Sequence, residues 1–217
     1  MSKEWPETRL AVSHETLPGE HLARIAATHG FRSFAPLWNH SENAALRASR
    51  LSPHVLAPGD RVYVPAVTAR DVDRPTEQRH RFRATLPLLT LRLARLHYDG
   101  SAINEAPERV TRDGKAAEFT TSAGTVEVPI DALSRKCVLT QGKSELVAMI
   151  GFLQPVSTVP GFRERLNNLG YRAGESENAR NLDIRSAVEE FQCDQRLTVD
   201  GKCGDATQRR LLKVHGC

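Results

Sequence analysis

In the stretch Gly161-Phe162-Arg163-Glu164-Arg165-Leu166-Asn167-Asn168-Leu169-Gly170-Tyr171, Phe162, Leu166 and Leu169 stand at i, i+4 and i+7. That spacing puts all three on one face of a helix. Gly170 suits the left-handed residue that ends such a helix. Further on, Ile184, Ala187, Val188 and Phe191 repeat the spacing on a second helix closed by Gln192. Leu197-Thr198-Val199-Asp200-Gly201 and Gly204 then provide turns. A third helix is predicted to begin near Thr207 and to carry Leu211 and Leu212, with Asp205 as a candidate N-cap. The expectation for residues 155–217 is a three-helix bundle around Leu166, Leu169, Val188, Phe191 and Leu211, entered through a hinge at residues 155–160.

Upstream of this helical third the periodicity changes. Residues 82–154 alternate like strands around Leu91-Arg92-Leu93-Ala94-Arg95-Leu96 and Thr125-Val126-Glu127-Val128-Pro129-Ile130. Turn signals fall at Asp99-Gly100, Asp113-Gly114, Ala123-Gly124 and Gln141-Gly142. They predict a central antiparallel β-sandwich, a spacer or docking domain. Residues 67–81, with Asp71, Asp73 and Pro75, read as a linker. In residues 1–66, Thr8-Arg9-Leu10-Ala11-Val12 reads as a strand, and Leu22, Ile25 and Ala26 share a helix face. Residues 43–48 read as a second helix, and Arg61-Val62-Tyr63-Val64-Pro65 closes with a strand. The fold class is therefore α+β multidomain: a small βααβ module, the sandwich, and the helical bundle.

The 217 residues are 40% hydrophobic and 26% charged, ordinary for a soluble globular protein, while 6% aromatic content favours several small cores. The net charge of +4 favours polyanions such as nucleic acid, anionic membranes and the carboxylate-bearing cell wall, and alone identifies no partner. It is spread along the chain without a basic stripe interleaved with aromatics, so nucleic acid is not an expected partner. No run approaches the roughly 18 apolar residues of a membrane span. Met1-Ser2-Lys3-Glu4-Trp5-Pro6 has no apolar run after its charges, so no Sec signal peptide is expected. The expectation is synthesis as a soluble cytoplasmic species, with action in the periplasm or at the wall only through a signal-independent exporter. Cys137, Cys193, Cys203 and Cys217 match no CxxC pattern. A Cys193–Cys203 disulfide and reduced thiols both stay open.

A hydrolytic enzyme needs a recognisable reactive set: a glutamic acid of raised pKa in an apolar cleft, zinc ligands, or a cysteine–histidine pair. Glu189 and Glu190 are consecutive on a helix and point about 100° apart, so they cannot share a substrate. His14, His21, His29, His40 and His54 form no HExxH or similar pair, and Cys137 has only His97 in its segment. No enzyme activity, cofactor or metal is expected.

Leu169-Gly170-Tyr171, Phe191-Gln192, Val199-Asp200-Gly201 and Thr207 together make the C-terminal third similar to the peptidoglycan-binding domain of type 1, a three-helix module attached to many wall hydrolases. Its loop over residues 172–181 is longer and more polar than the family's turn. Candidate wall contacts beside the helix ends are Tyr171, Gln192, Arg196 and Asp200. The N-terminal segment resembles the LysM module through Thr16-Leu17, Ile25-Ala26, the asparagine after the first helix, and Pro58-Gly59 leading to Val62-Tyr63-Val64-Pro65. LysM folds hold N-acetylglucosamine units between two loops, which by position contain Glu15, Thr16 and Leu17, and Val55, Leu56 and Pro58. His14-Glu15 replaces the usual glycine-aspartate, and the connection over residues 39–58 is long. The Asn43-Ala44-Ala45-Leu46-Arg47 variant looks like LysM-type proteins encoded beside contractile injection machinery, and residues 145–154 resemble the strand leading into the wall-binding module of type VI secretion-associated proteins. These resemblances imply a non-catalytic accessory protein with peptidoglycan as partner and a secretion spike or wall-acting effector as a second. An adaptor or baseplate-associated protein, and an unrecognised hydrolase, are the alternatives.

Overall fold

The computed structural model of the chain describes residues 8–68, 74–81, 89–97, 100–174 and 181–217. It divides into two units, Met1–His54 with Pro58–Gly151, and Val55–Ala57 with Phe152–Cys217.

The first unit opens with β1 (Thr8–Arg9) and β2 (Val12–Glu15), followed by α1 (Leu22–Thr28), α2 (Ala35–Trp38), a 3-10 turn at Ser41–Asn43, α3 (Ala44–Ser49), β3 (Arg61–Val64) and β4 (Val67–Thr68). β2 and β3 pair antiparallel with Val12 opposite Val64 and Glu15 opposite Arg61. Leu22, Ile25 and Ala26 are buried on α1, together with Leu37, Leu46, Val62 and Val64. Two expectations need correction. The first predicted strand is two, since Thr8–Arg9 pairs with β4 while Val12–Glu15 pairs with β3. The predicted linker therefore begins as a strand; its residues 69–73 lie outside the described residues. The buried Asn43 does more than begin a helix. Its Nδ2 donates to the carbonyls of Leu37 and Tyr63, each at 2.8 Å, and its Oδ1 accepts from Tyr63 N at 2.8 Å.

His21 precedes α1 with its side chain 3% exposed, and neither ring nitrogen has a partner among the described residues. Burial, reinforced by the charges of His54 and Arg24 and opposed by Glu20, pushes its pKa down from 6.5 to about 4. Between these values the unfolded chain binds a proton that the folded one refuses, so stability falls as pH drops. The loss reaches about 3 kcal/mol near pH 4. Melting temperatures followed from neutral pH down to that value should decline, and His21→Leu should flatten much of the decline. An equally steep decline in the variant would refute the assignment.

The rest of the first unit is built from β5 (Leu89–Ala94), β6 (Arg109–Arg112), β7 (Lys115–Ala116), β8 (Thr120–Ser122), β9 (Thr125–Ile130), β10 (Lys136–Gln141) and β11 (Ser144–Met149). They form two antiparallel sheets, in the orders β11-β10-β6-β7 and β5-β9-β8. Val126, Val128 and Ile130 from one sheet share a core with Val110, Cys137 and Leu139 from the other. Alternation along β9 puts Val126, Val128 and Ile130 on the inner face. Arg112 opposite Lys115 and Ser122 opposite Thr125 leave two-residue turns at Asp113-Gly114 and Ala123-Gly124. All four turn residues have positive φ, the twist that suits tight hairpins.

The second unit carries α4 (Val159–Asn168), α5 (Asn181–Asp194) and α6 (Asp205–His215). The predicted hinge is in part the start of α4, where Thr158 Oγ1 accepts from Gly161 N at 3.1 Å. Leu166, Ala187, Val188, Phe191 and Leu211 form one core with Val156 and Ala173, and Phe162, Leu169 and Ile184 pack against it. Asp205 is the first residue of α6 and not its cap; Gly204 holds that position and offers no side chain. Its carboxylate still complements the positive end of the helix dipole.

Candidate functional site

The polar centre of the second unit is Gln192, on the last turns of α5. Its Nε2 donates to Asp200 Oδ1 at 2.8 Å, the Lys202 carbonyl at 3.0 Å and Thr207 Oγ1 at 3.0 Å. Its Oε1 accepts from the amides of Asp200 and Gly201, both at 3.0 Å. One amide thus fixes the loop between α5 and α6 and the first turn of α6. With 1% exposure it is not available as a wall contact, which corrects the expectation for Gln192. Asp200 is exposed, and its Oδ1 also accepts from Lys202 N at 2.9 Å. Hydrogen bonds from the Lys202 amide and Gln192 hold its carboxyl below the usual range.

Tyr171 and Arg196 lie at two helix ends closed in the same way, with Gly170 and Arg196 as the left-handed residues. After α4, Gly170 takes φ +94°, Tyr171 N donates to Leu166 O at 3.0 Å, and Gly170 N to Asn167 O at 3.0 Å. After α5, Arg196 takes φ +54°, Leu197 N donates to Gln192 O at 2.8 Å, and Arg196 N to Cys193 O at 3.0 Å. Both ends are Schellman closures. Arg196 is exposed but sits where the backbone favours glycine. Arg196→Gly should therefore raise stability by about 0.5–1 kcal/mol. Urea titration would read that gain as a higher midpoint with unchanged slope, and a lower midpoint would show that the guanidinium itself is needed.

The Tyr171 ring packs edge-on against Phe191 with centroids 5.5 Å apart. Its hydroxyl donates to Asp194 Oδ2 at 2.9 Å. Burial and the Asp194 carboxylate push its pKa up to about 12, so it stays a hydrogen-bonding phenol at any physiological pH. Gln195, bonded through Oε1 to Arg210 Nε at 2.8 Å, extends the polar group onto α6. Asp194, Gln195 and Arg210 were not foreseen from the sequence. The signal was weak: polar residues at a helix end look like any solvated terminus.

All four cysteines are free thiols, so the Cys193–Cys203 disulfide is not formed. Cys193 is exposed on α5, whereas Cys203 packs against the core, and burial pushes its thiol up to about 11. Cys217 Sγ lies 3.3 Å from His215 Nδ1, and Asn168 Nδ2 lies 3.1 Å from His215 Nε2. Burial raises the thiol's pKa and lowers the imidazole's, which disfavours a thiolate–imidazolium pair. Cys137 is buried in the sheet core with its pKa raised, first by burial and then by Asp113, while His97 is exposed.

In the first unit, Thr16 N donates to Asp60 O and Gly59 N to Thr16 O, each at 2.8 Å, so residues 15–17 lie beside the turn that contains Pro58. Arg50 clamps this turn with Nε and Nη2 on the two Asp60 oxygens, at 2.7 and 2.6 Å. Glu20 Oε2 accepts from Leu17 N at 2.9 Å and lies 2.8 Å from His14 Nε2. Burial works against it, but these partners hold the Glu20 carboxyl below its ordinary range. Glu15, Leu17 and Pro58 are exposed. The Thr16 side chain is buried and cannot line an open groove, a correction to its expected role. Val55 and the buried Leu56 group with the second unit.

Among the described residues no three His, Cys, Asp or Glu side chains are placed to hold a metal ion, and no helix is long and apolar enough to cross a membrane. Residues 157–211 match the family model described as "Putative peptidoglycan binding domain", a stretch that takes in α4, the Gln192 loop, α5 and the first part of α6. That stretch of the second unit is thus similar to a peptidoglycan-binding domain. No curated protein and no solved structure matches the chain.

Proposed function

We propose that the protein is a non-catalytic peptidoglycan-binding accessory protein, linked to type VI secretion and to a wall-acting effector. The observation that carries this reading is the match over residues 157–211 on a domain whose loop is fixed from within by Gln192. Such a loop presents Asp200, Val199 and Arg196 to solvent without reorganising on binding, which suits a neutral glycan or stem peptide. The N-terminal β2–β3 pair with helices between its strands supports a LysM-like second site at Glu15, Leu17 and Pro58. Two weak sites on one chain gain avidity through effective concentration. The protein is made in the cytoplasm and reaches the periplasm through the secretion machine.

Pelleting with purified sacculi tests the reading. The full chain should pellet, a chain lacking residues 152–217 should largely stay in solution, and Leu17→Asp should lose more than half of the pelleted fraction. No pelleting combined with co-purification of a spike or effector would favour the adaptor reading instead. Release of soluble muropeptides would overturn the non-catalytic assignment.

A further inference from the structure

β11 ends its sheet, and among the described residues only β10 pairs with it. The direction of its backbone groups follows from the register. Ile150 N donates to Arg135 O at 2.8 Å, so Ile150 opposite Arg135 is a hydrogen-bonded pair. Bonded and non-bonded pairs alternate in antiparallel sheets. Ala148 opposite Cys137, Leu146 opposite Leu139 and Ser144 opposite Gln141 are then the bonded pairs. Glu145, Val147 and Met149 therefore turn their N–H and C=O groups away from β10, toward the free edge.

Among the described residues that edge has little of the usual protection, Glu145 being its one charge. Natural edge strands are kept apart by proline, lysine, a bulge or a covering segment. The strand Ser144-Glu145-Leu146-Val147-Ala148-Met149 has no proline, no basic residue and an unbroken register. Leu146, Val147 and Met149 are 48%, 46% and 53% exposed, with Val147 and Met149 on one face and Leu146 on the other.

We propose that β11 pairs antiparallel with β11 of a second copy of this chain, with Val147 on the twofold axis. Among possible occupants the strand's own sequence is complementary to itself in this register. Glu145 falls opposite the partner's Met149, so no like charges meet. Leu146 falls opposite the partner's Ala148, a large side chain beside a small one. The outward groups of Glu145, Val147 and Met149 meet the same three sets on the partner and close the ladder. On the face carrying Val147, Lys136 stands next to Met149 on β10, so each Glu145 has the partner's Lys136 two strands away, about 10 Å between backbones. Long side chains span that gap, and each acid receives a cation. The result is one continuous sheet of eight strands built from two copies of the four-stranded sheet.

The test uses the full chain. Light scattering on a sizing column should show the mass rising toward twice 24.1 kDa as the concentration is raised. Val147→Pro removes an N–H that faces away from β10, so it should leave the mass at one chain without lowering the melting temperature appreciably. Cysteine cross-linking gives a second readout that does not depend on that variant folding. Exposed Cys193 and Cys217 are first replaced by serine. Val147→Cys then places two thiols across a bonded pair, with Cα atoms about 5.5 Å apart, within disulfide reach. Glu145→Cys places them four residues out of step, about 13 Å apart and out of reach. Oxidation should convert Val147→Cys to a covalent dimer and leave Glu145→Cys monomeric. A mass fixed at one chain, a larger or open-ended assembly, or equal cross-linking at both positions would overturn the proposal.

Discussion

Gly161→Ala is expected to unfold the second unit while leaving the first intact. A Cβ at residue 161 would stand 1.9 Å from Pro155 O, 2.6 Å from Pro155 C and 2.7 Å from Gln154 O. All three obstacles are backbone, so no rotamer change relieves them. The first turn of α4 must instead leave residues 154–155. Arg165 is lost with it, because its Nη1 donates to Gln154 O and Gly161 O and its Nε to Cys217 O, each at 2.7 Å. Arg165 is 1% exposed, and a guanidinium stranded there without its carbonyl acceptors is a costly group. Overpacking combined with a broken buried network costs more than about 4 kcal/mol, against the roughly 5–15 kcal/mol that holds a whole domain. Calorimetry on the full chain should lose one transition and keep the other, and sacculus pelleting should be lost. A variant that melts within a degree or two of wild type would mean that the chain relaxes around the methyl group.

Gln192→Leu should cost nearly as much by a different route. The substitution keeps the size of the side chain and removes two acceptor contacts and three donor contacts. The amides of Asp200 and Gly201, the Lys202 carbonyl and Thr207 Oγ1 all lose a partner. Unmet buried groups cost about 1–3 kcal/mol each, with water recovering the outermost, so the total is on the order of 3 kcal/mol. Gln192→Glu separates hydrogen bonding from packing. A carboxylate keeps the bonds from Asp200 N and Gly201 N but turns repulsion toward the Asp200 carboxylate and the Lys202 carbonyl. Its deficit should shrink as the solution is acidified and the new carboxyl takes up a proton, which no purely steric role would produce. Denaturation midpoints over a pH series supply the measurement; a deficit independent of pH would show that the amide's donors do not matter.

The parts of this fold legible in the sequence are those whose signals are local. Ile184, Ala187, Val188 and Phe191 predicted α5 because one helix face needs only its own spacing. Asp113-Gly114 and Ala123-Gly124 predicted their hairpins because two positive-φ residues are a local demand. Closures made between distant segments were hidden. β4 exists only because Thr8–Arg9 comes back to pair with it, and a strand of two residues leaves no pattern. α2 is a single turn set by Pro36. Arg165 reads as a surface charge beside Leu166, yet it is buried because Gln154 O and Cys217 O, from outside its helix, converge on it with Gly161 O. The candidate site divides in the same way. Tyr171, Arg196 and Asp200 lie beside helix ends, as the motifs suggested, whereas the burial of Gln192 depends on where the loop after α5 folds back.

The side-chain amide of Asn43 has the same donor and acceptor as a peptide bond, and it occupies both outward groups of Tyr63 at once. It serves as a one-residue plug in the open flank of β3, doing for the small N-terminal sheet what a further strand would otherwise do. Growth of that sheet by recruiting foreign backbone is therefore stopped at its midpoint. Replacing the plug with aspartate would leave the Tyr63 carbonyl facing a carboxylate and reopen the flank to water. The chain thus shields one sheet margin with a single amide and leaves another, at Val147, bare.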